Sequence, residues 1–325
     1  MRGIRSAVLV ALAAALLAAC DLPGLLVGGG PGGGTATPAA ATGSEVGGCQ
    51  VFPTNNPWNQ NVSKLPVRSD SASLVRRISA TGGHTVLHPD FGGGGAYGIP
   101  FKVVPATQTR WPIHYTAYGN ESDPGPFPIP SNAPVEGGSS STGDRHVIVV
   151  QQSTCHLFEL YRAFWRGNRW DAASGANWNL ASNKLRPLGW TSADAAGLPI
   201  LAGLARYNEV QAGVINHALR FTVAATQHGY ILPATHSASS STDTTLPAMG
   251  MRFRLNSNYD LSRFHGQSLV ILRALKQYGM IVADNGSSWY ITGAADPRWN
   301  DDDLNQLKTV PGSAFQAVNT GPIHR

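Results

Sequence analysis

The chain has 325 residues, a formal net charge of +5 and only 13% charged residues. Soluble domains carry about 25% charged residues, so this chain is charge-poor. Its hydrophobic content of 42% excludes a disordered chain, and its glycines lack the period of three that collagen needs. The small positive charge is not clustered, which excludes nucleic acid as an expected partner.

The first twenty residues have the pattern of an export signal. Two arginines precede residues 7–17, an apolar run that is too short for the ~20 residues that cross a bilayer. The run ends in Leu-Ala-Ala before Cys20, which resembles the lipobox of bacterial lipoproteins. The resemblance implies a signal peptide over residues 1–19 and a lipid on Cys20. It places the protein at the outer face of the cytoplasmic membrane or in the cell envelope. The alternative is an ordinary secreted protein that is cleaved near Ala19.

Composition divides the rest of the chain into a tether and one domain. Residues 20–48 are rich in Gly, Pro and Ala without periodic apolar positions, and they predict a flexible tether. Residues 49–325 contain no second linker or internal repeat and predict a single globular domain. Cys49 and Cys155 are expected to form a disulfide, because such bridges persist in exported proteins. Zinc is not indicated, since the two cysteines form no Cys-x-x-Cys pair.

Apolar periodicity and turn residues predict a mainly β domain. In chain order, the predicted elements are a helix at 71–78, strands at 146–151 and 157–165, a short helix or turn from Ser192, strands at 214–224 and 251–255, a helix at 267–278, strands at 280–283 and 289–292, and a helix at 301–307. Residues 284–287 read Asp-Asn-Gly-Ser and predict a hairpin turn between the last two strands. The expected architecture is an antiparallel β-sandwich of the jelly-roll type, with a few peripheral helices and long ordered loops.

The chain has no serine-hydrolase elbow, zinc-protease motif, phosphate loop or dinucleotide fingerprint. Several segments instead resemble a family of secreted bacterial (lipo)proteins of unassigned activity. These segments are HPDFG (88–92), ESDPGPFPIP (121–130), GDRHVIVV (143–150), GWTSADAAGLPI (189–200), HALRFT (217–222) and ALKQYGMIVADNGS (274–287). The resemblance extends over nearly all of the chain after the tether. It implies a single exported domain and assigns no catalytic residue.

Glu159 is the first candidate for catalysis. Strand alternation puts it on the same face as Tyr161 and Trp165, whose rings suit stacking on sugars. Partial desolvation would raise the pKa of this carboxyl toward that of a general acid. The alternative is an ion pair between Glu159 and a neighbouring strand's arginine, such as Arg252 or Arg254.

A glycosidase needs a second carboxylate about 5–9.5 Å from the first. Glu136 and Asp144 flank a glycine-serine loop and are the candidates for this role. Glu121, Asp123 and Asp194 lie in other loops and are weaker candidates. For Asp144, Asp123 and Asp194, the alternative is a turn hydrogen bond or a helix cap.

A metal is not predicted, although two pairs of residues have spacing that would suit one. His88 with Asp90, and Asp144 with His146, are each separated by one residue, which puts both side chains on one face of an extended segment. Such pairs also arise by chance. We therefore predict no cofactor and leave a metal at these four residues as the alternative.

The resulting hypothesis is an exported, membrane-tethered hydrolase that acts on a polysaccharide or oligosaccharide through carboxylates. Tyr161, Trp165, Arg220, His146 and His217 are the predicted substrate-binding residues, and the alternative for the histidines is a core position. A polysaccharide lyase that uses Tyr161, His217 and Arg220 is a second enzymatic alternative. A non-catalytic glycan-binding or structural envelope lipoprotein is the third hypothesis.

Overall fold

A computed structural model describes residues 44–325 of the chain. The predicted signal peptide, the lipid on Cys20 and most of the predicted tether lie outside these residues. Within the described part, no helix has the length and apolar character needed to cross a membrane. Ser44 and Val46 are buried, so folded structure begins before the boundary at residue 49 that composition predicts.

Strands dominate the described chain, and five short or medium α-helices accompany them there. The strands are β1 Glu45–Val46, β2 Cys49–Gln50, β3 His88–Asp90, β4 Phe101–Val104, β5 Ile113–Tyr115, β6 Val147–Gln151, β7 His156–Tyr161, β8 Phe164–Trp165, β9 Trp170–Ala172, β10 Ser174–Asn179, β11 Leu219–Val223, β12 Arg252–Leu255, β13 Met280–Asn285, β14 Tyr290–Thr292 and β15 Phe315–Val318. The helices are α1 Ser71–Ala80, α2 Ile200–Gly203, α3 Tyr207–Gln211, α4 Gly266–Gln277 and α5 Asp301–Leu304.

Two sheets hold most of the strands in this part of the chain. One has the order β10-β7-β6-β4, and the other has the order β15-β12-β13-β11-β14-β3. Smaller sheets join β5-β9-β8 and β1-β2. The prediction of a strand-rich fold is confirmed. The antiparallel jelly roll is not, because four strand pairs are parallel: β4 with β6, β5 with β9, β11 with β13, and β14 with β3. Parallel neighbours need long crossovers, which hairpin patterns in the sequence do not reveal.

The sheet that contains β6 and β7 is buried on both faces. Val147, Val149 and Phe158 pack in one cluster around Trp170, whereas Ile148 and its face neighbours pack in the main core. This explains why β6 reads as a continuous apolar run rather than an alternating one. It also means that a polar side chain on β7 must find its partners inside the protein.

The longest described helix, α4, agrees with the predicted helix at 267–278. Its apolar positions face the core, and Gly279 follows it with the positive φ of 68° that favours glycine at this end. Asp303 accepts hydrogen bonds from the backbone N–H groups of Gln267 and Ser268, both at 2.9 Å. The carboxylate thereby caps the first turn.

The predicted strand at 157–165 is two strands, and this corrects the prediction for Trp165. The chain leaves the extended conformation at Arg162, where φ is 51°. The alternation that starts at Glu159 therefore ends at Tyr161, and Trp165 lies in β8. There its ring packs at 5.0 Å from Trp111 and 5.5 Å from Trp170, in the second cluster.

The predicted hairpin at 284–287 is also wrong. β13 and β14 do not pair with each other, because β11 lies between them. The connecting loop instead passes over the end of β11, where Gly286 N–H donates to Val223 O at 2.9 Å. Asp284 consequently lies at the end of a buried strand rather than in an exposed turn.

The predicted disulfide is confirmed. Cys49 and Cys155 are bonded, with their Cα atoms 5.4 Å apart and a sequence separation of 106. The bridge joins β2 to the residue before β7, so it fixes the first described segment to the doubly buried sheet.

Candidate functional site

An open cavity of about 440 Å³ brings together three aspartates. We call it the carboxylate cavity. Its lining residues are Tyr118, Asp144, Tyr161, Ser174, Thr191, Ser192, Ala193, Asp194, Ala195, His236, Ser237, Ala238, Asp284 and Asn285. No lysine or arginine among residues 44–325 lines it, and its carboxyl groups are those of the three aspartates. Two tyrosine rings and several hydroxyl groups complete a surface suited to a polyhydroxylated ligand.

Asp194 forms a buried ion pair behind the cavity wall. Its two carboxylate oxygens accept bonds from Arg220, from Nη2 at 2.9 Å and from Nε at 3.1 Å. Arg220 also donates to Thr292 Oγ1 at 2.8 Å. The segment from Ser192, predicted to be a short helix or turn, is a turn, and it presents Asp194 to this arginine. The bidentate geometry fixes both side chains. Arg220 therefore holds the cavity residue Asp194 in position but does not itself line the cavity.

Asp284 is a cavity carboxyl whose pKa is raised although its side chain is partly open to the cavity. Burial, with the charge of Asp194, raises its pKa to about 7. Its Oδ1 accepts a bond from Asn285 N–H at 2.7 Å, and its Oδ2 lies 4.0 Å from Arg220 Nη2. These two contacts lower the pKa but do not outweigh burial. Asp284 therefore holds a proton near neutral pH while it remains partly open to the cavity.

Asp144 is the solvent-exposed carboxylate of the cavity, and Tyr161 lies on the same wall. Both were predicted as site residues, and the structure brings them together. The negative charge of Asp144 contributes to the raised pKa values of Asp284 and Tyr161, after burial. The cavity thus pairs a proton-holding acid with an exposed carboxylate.

Glu136 and His146 lie behind Asp144 and do not line the cavity. Glu136 accepts a bond from the backbone N–H of His146 at 3.3 Å, and burial raises its pKa to about 7. His146 is fully buried, which lowers its pKa to about 3. The predicted common face of Asp144 and His146 is wrong, because Arg145 between them has a φ of 53°.

Glu159 is completely buried and lies outside the cavity lining. Its carboxylate accepts bonds from the first N–H groups of α2, from Ile200 at 3.0 Å and from Leu201 at 2.9 Å. The expected alternative partners, Arg252 and Arg254, donate to backbone carbonyls instead. Glu159 therefore holds α2 on the sheet, and the predicted aromatic sugar-binding face around it does not form.

His217 belongs to another buried network. Its Nε2 lies 3.1 Å from Glu209 Oε2 and 2.9 Å from Arg206 Nη2, and its Nδ1 lies 2.7 Å from Ala218 O. None of these residues lines the carboxylate cavity. The set of Tyr161, His217 and Arg220 that a lyase was expected to use is therefore not assembled.

The four residues weighed as metal ligands do not meet at one place. His88 and Asp90 line a different cavity, and the ring of His88 stacks on Tyr290 at 4.1 Å. Asp144 lines the carboxylate cavity, whereas His146 is buried outside its lining. Among residues 44–325, no group of three or more His, Cys, Asp or Glu side chains is arranged to hold a metal ion.

Three of the six segments quoted for the family resemblance converge on the carboxylate cavity. They supply Asp144, Thr191–Ala195 and Asp284 with Asn285. A fourth segment supplies Arg220, which bonds Asp194. Of these cavity residues, Asp194 was a weaker candidate from the sequence, and Asp284 was not predicted because its Asp-Asn-Gly-Ser context resembles a hairpin turn.

The raised carboxyl pKa values predict that stability falls as pH rises from about 6.5 to 8.5. Burial raises the pKa of Glu159 to about 8, and those of Glu136 and Asp284 to about 7. In this window the folded protein binds protons that the unfolded chain has released, so the free energy of unfolding decreases with pH. The lowered pKa of His146 makes the free energy of unfolding rise with pH, but mainly below pH 6.5, where the unfolded histidine binds a proton that the folded one does not. Denaturant unfolding at several pH values measures this dependence of the free energy of unfolding on pH.

A Glu159→Gln variant is the control for that dependence. Glutamine cannot ionise, so the slope should be shallower than in the wild type, while one helix N–H bond is lost at a cost of about 1–3 kcal/mol. A wild-type stability that is constant or rising over this window would contradict the assignment of these protonated carboxyls.

Comparison of the chain with family models, with curated proteins and with solved structures gave no match.

Proposed function

We propose that residues 44–325 form a glycan-active hydrolase whose active site is the carboxylate cavity. The observation that carries the proposal is the pairing of Asp284, with a pKa of about 7, and the exposed Asp144 in one open cavity. Glycoside hydrolysis needs such a pair, one carboxyl to donate a proton and one carboxylate to activate water or attack the sugar. Tyr118 and Tyr161 on the same wall suit stacking against sugar rings.

In the proposed reaction, Asp284 donates its proton to the glycosidic oxygen as the bond from that oxygen to the anomeric carbon breaks. Water supplies the hydroxyl group that the anomeric carbon gains, and Asp144 accepts the proton that the water loses. One water is consumed and two sugar ends are formed. Arg220 and Asp194 keep the charge around Asp284 constant during the transfer, because their bidentate pair is fully buried.

We further propose that this domain acts outside the cytoplasm, attached to the membrane through a lipid on Cys20. The confirmed disulfide between Cys49 and Cys155 supports export, since such bridges persist in oxidising compartments. Residues 20–43 would then give the domain reach from the membrane surface to polymeric substrate. The lipid is tested by mass spectrometry of the N-terminal peptide from the native host. An unmodified Cys20 would contradict the anchor.

The hydrolase is tested by incubating the full chain with a panel of polysaccharides and measuring new reducing ends. Asp284→Asn keeps the side-chain shape but removes the proton, so turnover should fall at least ~10²-fold with unchanged melting temperature. Asp90→Asn is the matched control, because Asp90 also has a pKa raised by burial but lines a different cavity.

Three outcomes would contradict the proposal. Unchanged activity in Asp284→Asn removes this residue from proton transfer. Unsaturated products that absorb ultraviolet light indicate a lyase instead. Binding of a glycan without any product from the wild type indicates a binding protein.

A further inference from the structure

Two further cavities continue the carboxylate cavity along the surface. The first, of about 470 Å³, shares Tyr118 and Tyr161 with it. The second, of about 590 Å³, shares Phe164 and Arg166 with the first. Because each cavity shares lining side chains with the next, the three adjoin, and we refer to them together as the cleft. We call the two added parts the arginine groove. A cleft of this form suits a chain of linked sugars rather than a single small molecule.

The charge of the cleft changes sign along its length. The carboxylate cavity has Asp144, Asp194 and Asp284 on its walls, whereas the arginine groove has Arg145, Arg162 and Arg166. Within the described part of the chain, Asp171 is the one carboxylate that lines the groove, and it accepts bonds from Arg166 at 3.0 Å and from Arg169 at 2.8 Å. The groove therefore carries excess positive charge beside an acidic catalytic end.

Arg145 contributes a positive charge that is satisfied by carbonyls rather than by an acid. Its guanidinium donates to Ser139 O at 2.9 Å, Ser141 O at 2.7 Å and Ala163 O at 3.1 Å. It lies 4.1 Å from the ring centre of Phe164, and Arg166 lies 5.4 Å from the same ring. Burial and the charge of Arg166 lower the pKa of Arg145, as expected for neighbouring cations with too little compensating charge.

Aromatic side chains line the arginine groove. Tyr118 is 47% exposed and lies where the groove meets the carboxylate cavity, while Phe164 and Trp165 are half-buried farther along. Aromatic surface beside arginine favours a ligand that has both an apolar ring face and a negative charge. A carboxylate-bearing sugar has both. The same sugar in the carboxylate cavity would face the exposed carboxylate of Asp144 and no lining arginine, so its place is in the groove.

We propose that the arginine groove binds uronic acid residues of a polysaccharide whose scissile bond lies in the carboxylate cavity. This inference rests on the proposed function for the position of the cleaved bond, but binding is measurable without turnover. The ligand class is a polyuronate, and Arg162 and Arg166 are the exposed side chains that contact its carboxylates.

The test compares a polyuronate with a neutral polymer of the same backbone. Full-length protein is titrated by calorimetry at low salt with polygalacturonate, alginate and hyaluronate, and with the carboxyl-reduced form of each. Arg166→Gln should weaken polyuronate binding about tenfold, as expected for one lost charge-assisted contact, and should change neutral-polymer binding little. Adding Arg162→Gln should weaken polyuronate binding further.

Arg169→Gln is the matched control for Arg166→Gln. Both arginines bond Asp171 through Nε, and their side chains are 47% and 54% exposed, but only Arg166 lines the groove. For stacking, Tyr118→Ala should weaken binding of both polymer types. Tyr97→Ala should weaken neither, because Tyr97 is 64% exposed and lines a separate cavity.

Equal losses in Arg166→Gln and Arg169→Gln would overturn the proposal, because they would indicate general charge attraction. So would the absence of polyuronate binding by the wild type, or equal binding of single-stranded oligo(dT). The two proposals fail separately. Polyuronate binding without hydrolysis would support the arginine groove as a binding site and contradict the hydrolase. Hydrolysis that the arginine substitutions do not affect would support the hydrolase and contradict polyuronate binding in the groove.

Discussion

Replacing both Cys49 and Cys155 with alanine should lower the free energy of unfolding by about 4–5 kcal/mol. The bridge closes a loop of 106 positions, and a loop of that length greatly restricts the unfolded chain. Cys49 is also 1% exposed in the main core, so its position is held by packing as well as by the bond. Denaturant unfolding monitored by tryptophan fluorescence measures the change.

Cys20→Ala is the control, because it replaces the third cysteine of the chain and leaves the bridge intact. Reduction of the wild type should reproduce most of the loss seen in the double variant. A double variant that unfolds at the same denaturant concentration as the wild type would show that the bridge adds nothing to the packing of β1 and β2. Activity of the double variant at low temperature should persist, since neither cysteine lines the carboxylate cavity.

Local patterns predicted those elements whose partners are close in sequence. The helix at 267–278 matches α4 within one residue at each end, because apolar spacing and a following glycine are both local signals. The strand at 146–151 matches β6 for the same reason. Pairing was not predictable in this way. β11 and β13 lie side by side in parallel, although residues 224–279 separate them, and nothing in either strand specifies that neighbour.

The sequence identified several residues of the candidate site but did not predict which of them lie together. Asp144, Tyr161 and Arg220 were all identified, and Asp194 was weighed, yet only the fold shows that they meet. Glu159 was misplaced because alternation on β7 says which residues share a face but not that helix α2 covers it. Asp284 had a partial signal, since it directly follows the continuous apolar run 280–283, which indicates a buried strand. Only the fold shows that this strand is parallel to β11, and ligand sites gather at the ends of such strands.

Arg220→Met should destabilise the protein by about 3–5 kcal/mol near pH 8, because it leaves Asp194 as a buried acid without a cation. Arg220 is 4% exposed and Asp194 is 1% exposed, so water does not replace the lost bonds. The loss should be smaller at pH 5. Burial raises the pKa of Asp194, and without Arg220, whose charge lowers that pKa, it rises further. The folded variant then keeps a proton that the unfolded chain releases, so its free energy of unfolding falls with pH until pH passes the raised pKa, and the loss at pH 8 exceeds the loss at pH 5.

Two comparisons make that result specific to the buried pair. Adding Asp194→Asn to Arg220→Met removes the unpaired charge and should recover much of the stability at pH 8. Arg298→Met breaks an exposed bidentate pair with Asp296 and should leave the melting temperature nearly unchanged. If Arg220→Met instead unfolds like the wild type at pH 8, the pair is dispensable for the fold.

Arg220 also lowers the pKa of Asp284. Any activity that Arg220→Met retains should therefore persist to higher pH than in the wild type, since Asp284 then keeps its proton longer.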